Sequence, residues 1–155
     1  MSDLVQVWTD GSIFPNPGGP MGWGFVAIDR WGEITERYDG ALEDPSNTNN
    51  RAEMKALLIA LEWLQGMPAT LRTDSQYVMN GMNQWSIGWA RRGWRRMEHG
   101  REVPVPNADL WQRMVKLRTR QQEILWVRGH NNDHYNERAD QLALMGRQSV
   151  TKESA

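Results

Sequence analysis

Two aspartates stand at matching places in this chain. VWTDGS, residues 7 to 12, and LRTDSQYV, residues 71 to 78, both close a short apolar, β-branched run with a Thr-Asp-small step. One acid at a strand tip is ordinary, but the repeat suggests two carboxylates brought to a single point. Glu53 and Asp140 extend the set. Glu53 opens a long apolar stretch and shares a helical stripe with Leu57, Ala60 and Leu64, so it turns toward the sheet. Asp140 lies beside Ala139 and Ala143, with Leu144 one turn on, and borders the buried side of its own helix.

Four convergent acids repel one another. Two unit charges ~5 Å apart at an effective dielectric of ~20 cost roughly 3 kcal/mol, so the cluster makes sense mainly around a cation. Oxygen-only ligands favour Mg²⁺, with Mn²⁺ as a substitute, because these ions keep water and bind substrate phosphates. Two such ions align an attacking water and stabilise the leaving oxygen of a phosphodiester displacement. Taken singly, each acid has a plainer use. Asp10 before Gly suits a turn, Asp74 before SQYV suits a helix N-cap, Glu53 stands three residues after Asn50 in capping-box spacing, and Asp140 suits a solvated helix face.

A phosphate-binding surface is present as well. Residues 91 to 120 hold nine Arg or Lys against three acids, a net +6 inside a chain of net charge -1. Fifteen of the 18 basic residues are arginine, whose planar fork suits bidentate phosphate contacts. In WARRGWRR, tryptophans alternate with Arg91, Arg92, Arg95 and Arg96, setting stacking faces beside cationic forks. Trp85 and Trp89, one turn apart, serve equally as core under such a surface. His130 and His134 are both open as loop histidines near the acids.

The elements that must position these residues can be read from periodicity and punctuation. LVQVWT is a strand leading into a Gly-rich loop, WGFVAID a second, and EITERYDGAL a third across a DRWG turn. RAEMKALLIALEWLQGM is a buried helix ending at Gly66 and Pro68, ATLRTD a fourth strand, and SQYVMNGMNQW a helix. A basic, Gly-interrupted excursion precedes the helix ADLWQRMVKLRTR, the strand QEILWVRGH and the helix NERADQLALMGR. The order β-β-β-α-β-α-α-β-α predicts an α/β domain of five strands with a hairpin at the front and crossovers behind. If the first and fourth strands lie parallel, Asp10 and Asp74 meet at the carboxyl edge, where open α/β sheets bind ligands.

Composition narrows the rest. With 155 residues, 39% hydrophobic and 24% charged, one ordinary folded domain is expected over residues 1–147, with a disordered tail at 148–155. The absence of cysteine excludes disulfides, thiolate nucleophiles and Cys-ligated metals. MSDLVQVWTD lacks an apolar signal region and no run is long enough to span a membrane, so a cytoplasmic monomer without a membrane or an obligate protein partner is expected.

TDGS with Asp10, TNNRAE with Glu53, TDSQYV with Asp74 and GHNNDHYNERAD with His130 and Asp140 resemble the four motifs of ribonuclease H of the bacterial type 1. The resemblance runs from about residue 4 to residue 147 and includes QW…W..RGW and DLWQR between the motifs. It implies the ribonuclease H-like α/β fold, a mixed five-stranded sheet with helices on both faces, and an endonuclease that cuts the RNA strand of RNA/DNA hybrids with two divalent ions, leaving 5′-phosphate and 3′-hydroxyl ends. By motif position, Asp10, Glu53, Asp74 and Asp140 would hold the metal. His130 would be a mobile-loop histidine assisting proton transfer or product release. The resemblance also implies a substrate groove at Asn16, Asn49, Asn50 and Gln76, and a basic protrusion at about 85–102 bearing Trp85, Arg91, Arg92, Arg95 and Arg96. Two other classes share some of these features: a hybrid-binding module without catalysis, and an integrase-like nuclease acting on DNA.

Overall fold

The computed structural model describes residues 4–129 and 133–151. Strands β1 (Val5–Ile13), β2 (Met21–Ile28) and β3 (Ile34–Ala41) form an antiparallel meander. Helix α1 (Asn49–Leu64) then crosses over to β4 (Ala69–Thr73), which lies parallel to β1. Beyond β4 the chain runs through α2 (Gln76–Asn80), a π-turn at Gly81–Trp85 and α3 (Ser86–Arg91). The hairpin β5 (Arg95–Glu98) and β6 (Arg101–Pro104) follows, then α4 (Ala108–Leu117), β7 (Gln122–Trp126) and α5 (His134–Thr151). The main sheet has the order β3-β2-β1-β4-β7, with β7 parallel to β4. No helix among the described residues is long and apolar enough to cross a membrane.

The five-stranded α/β architecture is the one the periodicity predicts, and helices cover both faces. On one side α1 and α4 bury Leu57, Leu61, Leu64, Leu110, Trp111 and Met114 against Val7, Phe25, Leu71 and Ile124. Each such side chain contributes about 1.5–3 kcal/mol relative to leaving it in water. On the other side Ala139 and Leu142 of α5 pack on Trp8 and Val26. Edge strand β7 is screened from further pairing, since Asn83 Nδ2 donates to Ile124 O at 2.9 Å and Arg118 Nε to Gln122 O at 3.2 Å.

The basic, Gly-interrupted excursion, to which the sequence assigned no element, holds α3 and the β5–β6 hairpin, turned by His99 and Gly100 at φ 51° and 78°. That pair of left-handed residues suits a two-residue hairpin turn. The final helix also begins at His134 and continues through Thr151, past residue 147 where the sequence reading ended the domain.

Candidate active site

Parallel pairing of β1 with β4 matches Trp8 to Arg72, so the acids two residues farther along, Asp10 and Asp74, reach the same edge. Asp10 is still within β1, opposite Gly24 of β2, and is therefore not a turn residue. Asp74 follows the end of β4. It does not cap α2, because Ser75 does so, its side chain accepting from Val78 N at 3.1 Å. The next acid arrives from α1. Its N-cap is Thr48, whose side chain accepts from Arg51 N at 3.1 Å, so Glu53 has no capping-box role.

Glycine permits the approach. Gly11 occupies the α1-facing position after Asp10, and a Cβ built there would lie 2.5 Å from the Glu53 amide nitrogen. Without a side chain at that point, the first turns of α1 press against the strand and Glu53 reaches Asp10. Gly129 closes the other side, where a Cβ would sit 3.0 Å from Asp74 Oδ2.

One ligand atom from each of Asp10, Glu53 and Asp74 lies within 4.8 Å of the others. Asp10 and Glu53 are each only 5% exposed. Burial, then Asp74, pushes Asp10 up to about 8, against the stabilising Gly11 amide that donates to Asp10 Oδ1 at 2.8 Å. Glu53 is pushed well up by burial, then by Asp10 and Asp74. Their mutual hydrogen bond lowers Asp10 and raises Glu53, but burial and charge repulsion move both carboxyls upward. Glu53 Oε2 is buried with no hydrogen-bond partner. Oxygen-only donors, close spacing, suppressed ionisation and an unpartnered buried carboxylate oxygen together fit a hard divalent cation.

Asp140 is placed differently from the other three acids. It is exposed on α5 and lies outside the close group, yet it lines the same cleft of about 310 Å³ with Asp10, Asn49, Glu53, Asp74 and Ser75. It also adds to the field that raises Asp10. His130 falls outside the described residues; His134 is exposed at the start of α5 with its ring against Tyr135.

Asn16 accepts from Asn49 N at 3.2 Å, which ties the Gly-rich loop to the start of α1. Buried Asn47 braces that loop by donating to Gly19 O and Leu42 O. Asn50 and Gln76 are exposed at the first turns of α1 and α2. Trp85 is 39% exposed, at the near end of a ring series through Trp89 and Tyr77 to buried Trp111. The four arginines are not equivalent: Arg95 pairs with Glu102 at 2.8 Å and Arg96 with Glu98 at 3.0 Å, whereas Arg91 and Arg92 are exposed and form no ion pair among the described residues. Sequence reasoning missed Gly11, Ser75 and Asn47. The Asp-Gly step and the spacing of Ser75 from Val78 were the available signals for the first two; Asn47 carried none, since only the folded loop shows what it holds.

Residues 2–148 match the family model for RNase H. The chain is 45% identical over 148 residues to "Ribonuclease H" of Gluconobacter oxydans (strain 621H), covering 94% of this chain and 93% of that protein. Among solved structures, LC9-RNase H1, a type 1 RNase H with the type 2 active-site motif, superposes with a TM-score of 0.78 at 28% identity, covering 96% of this chain and 74% of that one. LC11-RNase H1 in complex with RNA/DNA hybrid shares the fold, with a TM-score of 0.68 at 23% identity over 95% of this chain and 99% of that one.

Proposed function

This chain belongs to the ribonuclease H family, and from that premise we propose that it hydrolyses the RNA strand of RNA/DNA hybrids endonucleolytically, leaving 5′-phosphate and 3′-hydroxyl ends. The observation that carries this reading is the meeting of Asp10, Glu53 and Asp74 within 4.8 Å at one sheet edge. Those three acids, with Asp140 at the rim, would hold Mg²⁺, or Mn²⁺ in its place, two ions per site with substrate bound, and the chemistry so supplied would be charge stabilisation at the scissile phosphate and acidification of the attacking water.

The chain's own residues do the rest. Ionisation of Asp10 and release of the Glu53 proton accompany cation binding, so affinity rises with pH. Asn16, Asn49, Asn50 and Gln76 present polar groups to a minor groove, where 2′-hydroxyls distinguish the RNA strand from the DNA strand. Trp85 offers a stacking face and Arg91, Arg92, Arg95 and Arg96 engage backbone phosphates. His130 moves a proton or assists release of product.

The decisive experiment compares cleavage of RNA/DNA, RNA/RNA and DNA/DNA duplexes with Mg²⁺ and with chelator. Mg²⁺-dependent cutting of the RNA strand in the hybrid is the expected result. Binding without cutting would leave a recognition module, and preference for duplex DNA would move the chain to a DNA-directed nuclease.

A further inference from the structure

We propose that Trp8, Arg72 and Tyr135 form a platform that positions Asp140 at the carboxylate cleft; this rests on the reading of Asp140 as a cation-holding group. Asp10, Glu53 and Asp74 are set by strand pairing and by the Gly11 contact. Asp140 has neither constraint. It is exposed, and its reach depends on where the first turns of α5 sit on the sheet.

That seat is aromatic. Trp8 stands two residues before Asp10 and so points to the same face of β1. Its indole is 8% exposed and packs with Ala139 and Leu142 of α5. Tyr135, in the first turn of α5, meets it at a ring-centroid separation of 4.6 Å. Trp8 Nε1 is buried and makes no hydrogen bond, so packing contacts fix the indole. The helix start is itself pinned, since Asp133 Oδ1 accepts from Tyr135 N at 3.0 Å and Asn136 N at 3.2 Å.

Arg72 ties this seat to β4, the strand that leads to Asp74. It is the register partner of Trp8, two residues before Asp74. Its guanidinium lies 5.0 Å from the indole centroid, and Nη1 donates to Gln6 Oε1 at 2.7 Å, which holds the fork in place. One run of contacts thus joins the strand of Asp74, the strand of Asp10 and the helix of Asp140.

Mg²⁺ binding by titration calorimetry, with thermal unfolding as a check on folding, tests the platform. Tyr135→Leu is expected to weaken Mg²⁺ binding about tenfold, the scale of support lost around a metal ligand, and to raise the Mg²⁺ needed for half-maximal hybrid cleavage without changing the KM for hybrid at saturating Mg²⁺. Tyr135→Phe keeps the ring and should restore the wild-type values. In an Asp140→Asn background Tyr135→Leu should have no further effect on Mg²⁺ affinity. Arg72→Gln leaves both rings in place and should give a smaller weakening, about two- to fivefold; it serves as the test if Tyr135→Leu does not fold. Unchanged Mg²⁺ affinity in the folded variants, or an equal loss with and without Asp140, overturns the platform. Asp10→Asn separates the two readings: if it too binds Mg²⁺ normally and cuts hybrid, the active-site reading itself fails, whereas its loss beside a normal Tyr135→Leu sinks only the platform.

Discussion

Gly11 lies so close to Glu53 that a Cβ on the glycine would come within 2.5 Å of the glutamate's amide nitrogen and 2.9 Å of Ala52 Cβ. The contact is with helix backbone, which cannot swing aside. Gly11→Ala should therefore push α1 off β1, costing about 1–3 kcal/mol by overpacking and separating Glu53 from Asp10. Thermal unfolding and hybrid cleavage are expected to fall together, with activity falling further than stability requires.

Ionisation of the carboxylate group should make the metal-free protein less stable at alkaline pH. Asp10 is raised from 3.8 to about 8, and Glu53 moves the same way. The folded state keeps a proton that the unfolded chain gives up near pH 4. The resulting stabilisation is complete below about pH 4 and is lost as pH rises through about 8. Asp10→Asn removes one of the repelling charges, so its melting temperature relative to wild type should climb between pH 5 and pH 9, reaching a gain of about 1–3 kcal/mol without metal. The same variant should not cleave hybrid. A lower melting temperature than wild type at every pH would refute this account of the cluster.

The arginines between residues 91 and 96 should separate in a salt titration. Arg95 and Arg96 already face Glu102 and Glu98, while Arg91 and Arg92 form no ion pair among the described residues. Removing Arg91 or Arg92 should lower the slope of log affinity against log salt by about 1 each. Arg95→Ala and Arg96→Ala should change it less, because each of these guanidinium charges is already partly neutralised by its paired acid and so neutralises less phosphate charge. Hybrid binding measured at several salt concentrations, in the presence of chelator, checks the ranking.

Two nearby glycines should respond to alanine with opposite signs. A Cβ on Gly81, in the π-turn, runs into the indole of buried Trp111, whereas one on Gly88 in α3 meets nothing within 4 Å. Gly81→Ala should cost about 1–3 kcal/mol through forced repacking. Gly88→Ala should add about 0.4–1 kcal/mol by restricting the unfolded chain and favouring helix. Denaturant unfolding of the two variants reads the contrast directly.

Much of this architecture is written in local pattern. The apolar runs mark β1, β2, β4 and β7 of the main sheet because at least one face of each is buried, whereas β3 buries no residue and is marked by the turn before it; the stripe of Leu57, Ala60 and Leu64 turned Glu53 inward as its period requires. The β5–β6 hairpin escaped that reading for the converse reason. Arg95, Met97, Glu98, Arg101, Glu102 and Pro104 are all exposed, so no alternation of apolar and polar residues announces the strands. Only the His-Gly step between them signals a turn. Capping was ambiguous in the same way: Thr48, Asn49 and Asn50 are all fit N-cap residues, and the folded loop, not their identity, selected Thr48.

The sequence by itself determined which residues could act together: two Thr-Asp steps at strand ends, a glutamate on a buried helical stripe, an aspartate beside a small-residue face, and a cationic stretch. These follow from side-chain chemistry and from periods of two and 3.6 residues, which operate within a single element. Tertiary structure alone decided the distances. Parallel pairing of β1 with β4 carried Asp10 and Asp74 to one edge across more than sixty residues of chain. Close packing at Gly11 admitted Glu53, and the seat of α5 on Trp8 left Asp140 at the rim. Repulsion among like charges opposes such a gathering, so only the burial energy of the surrounding core can hold it together.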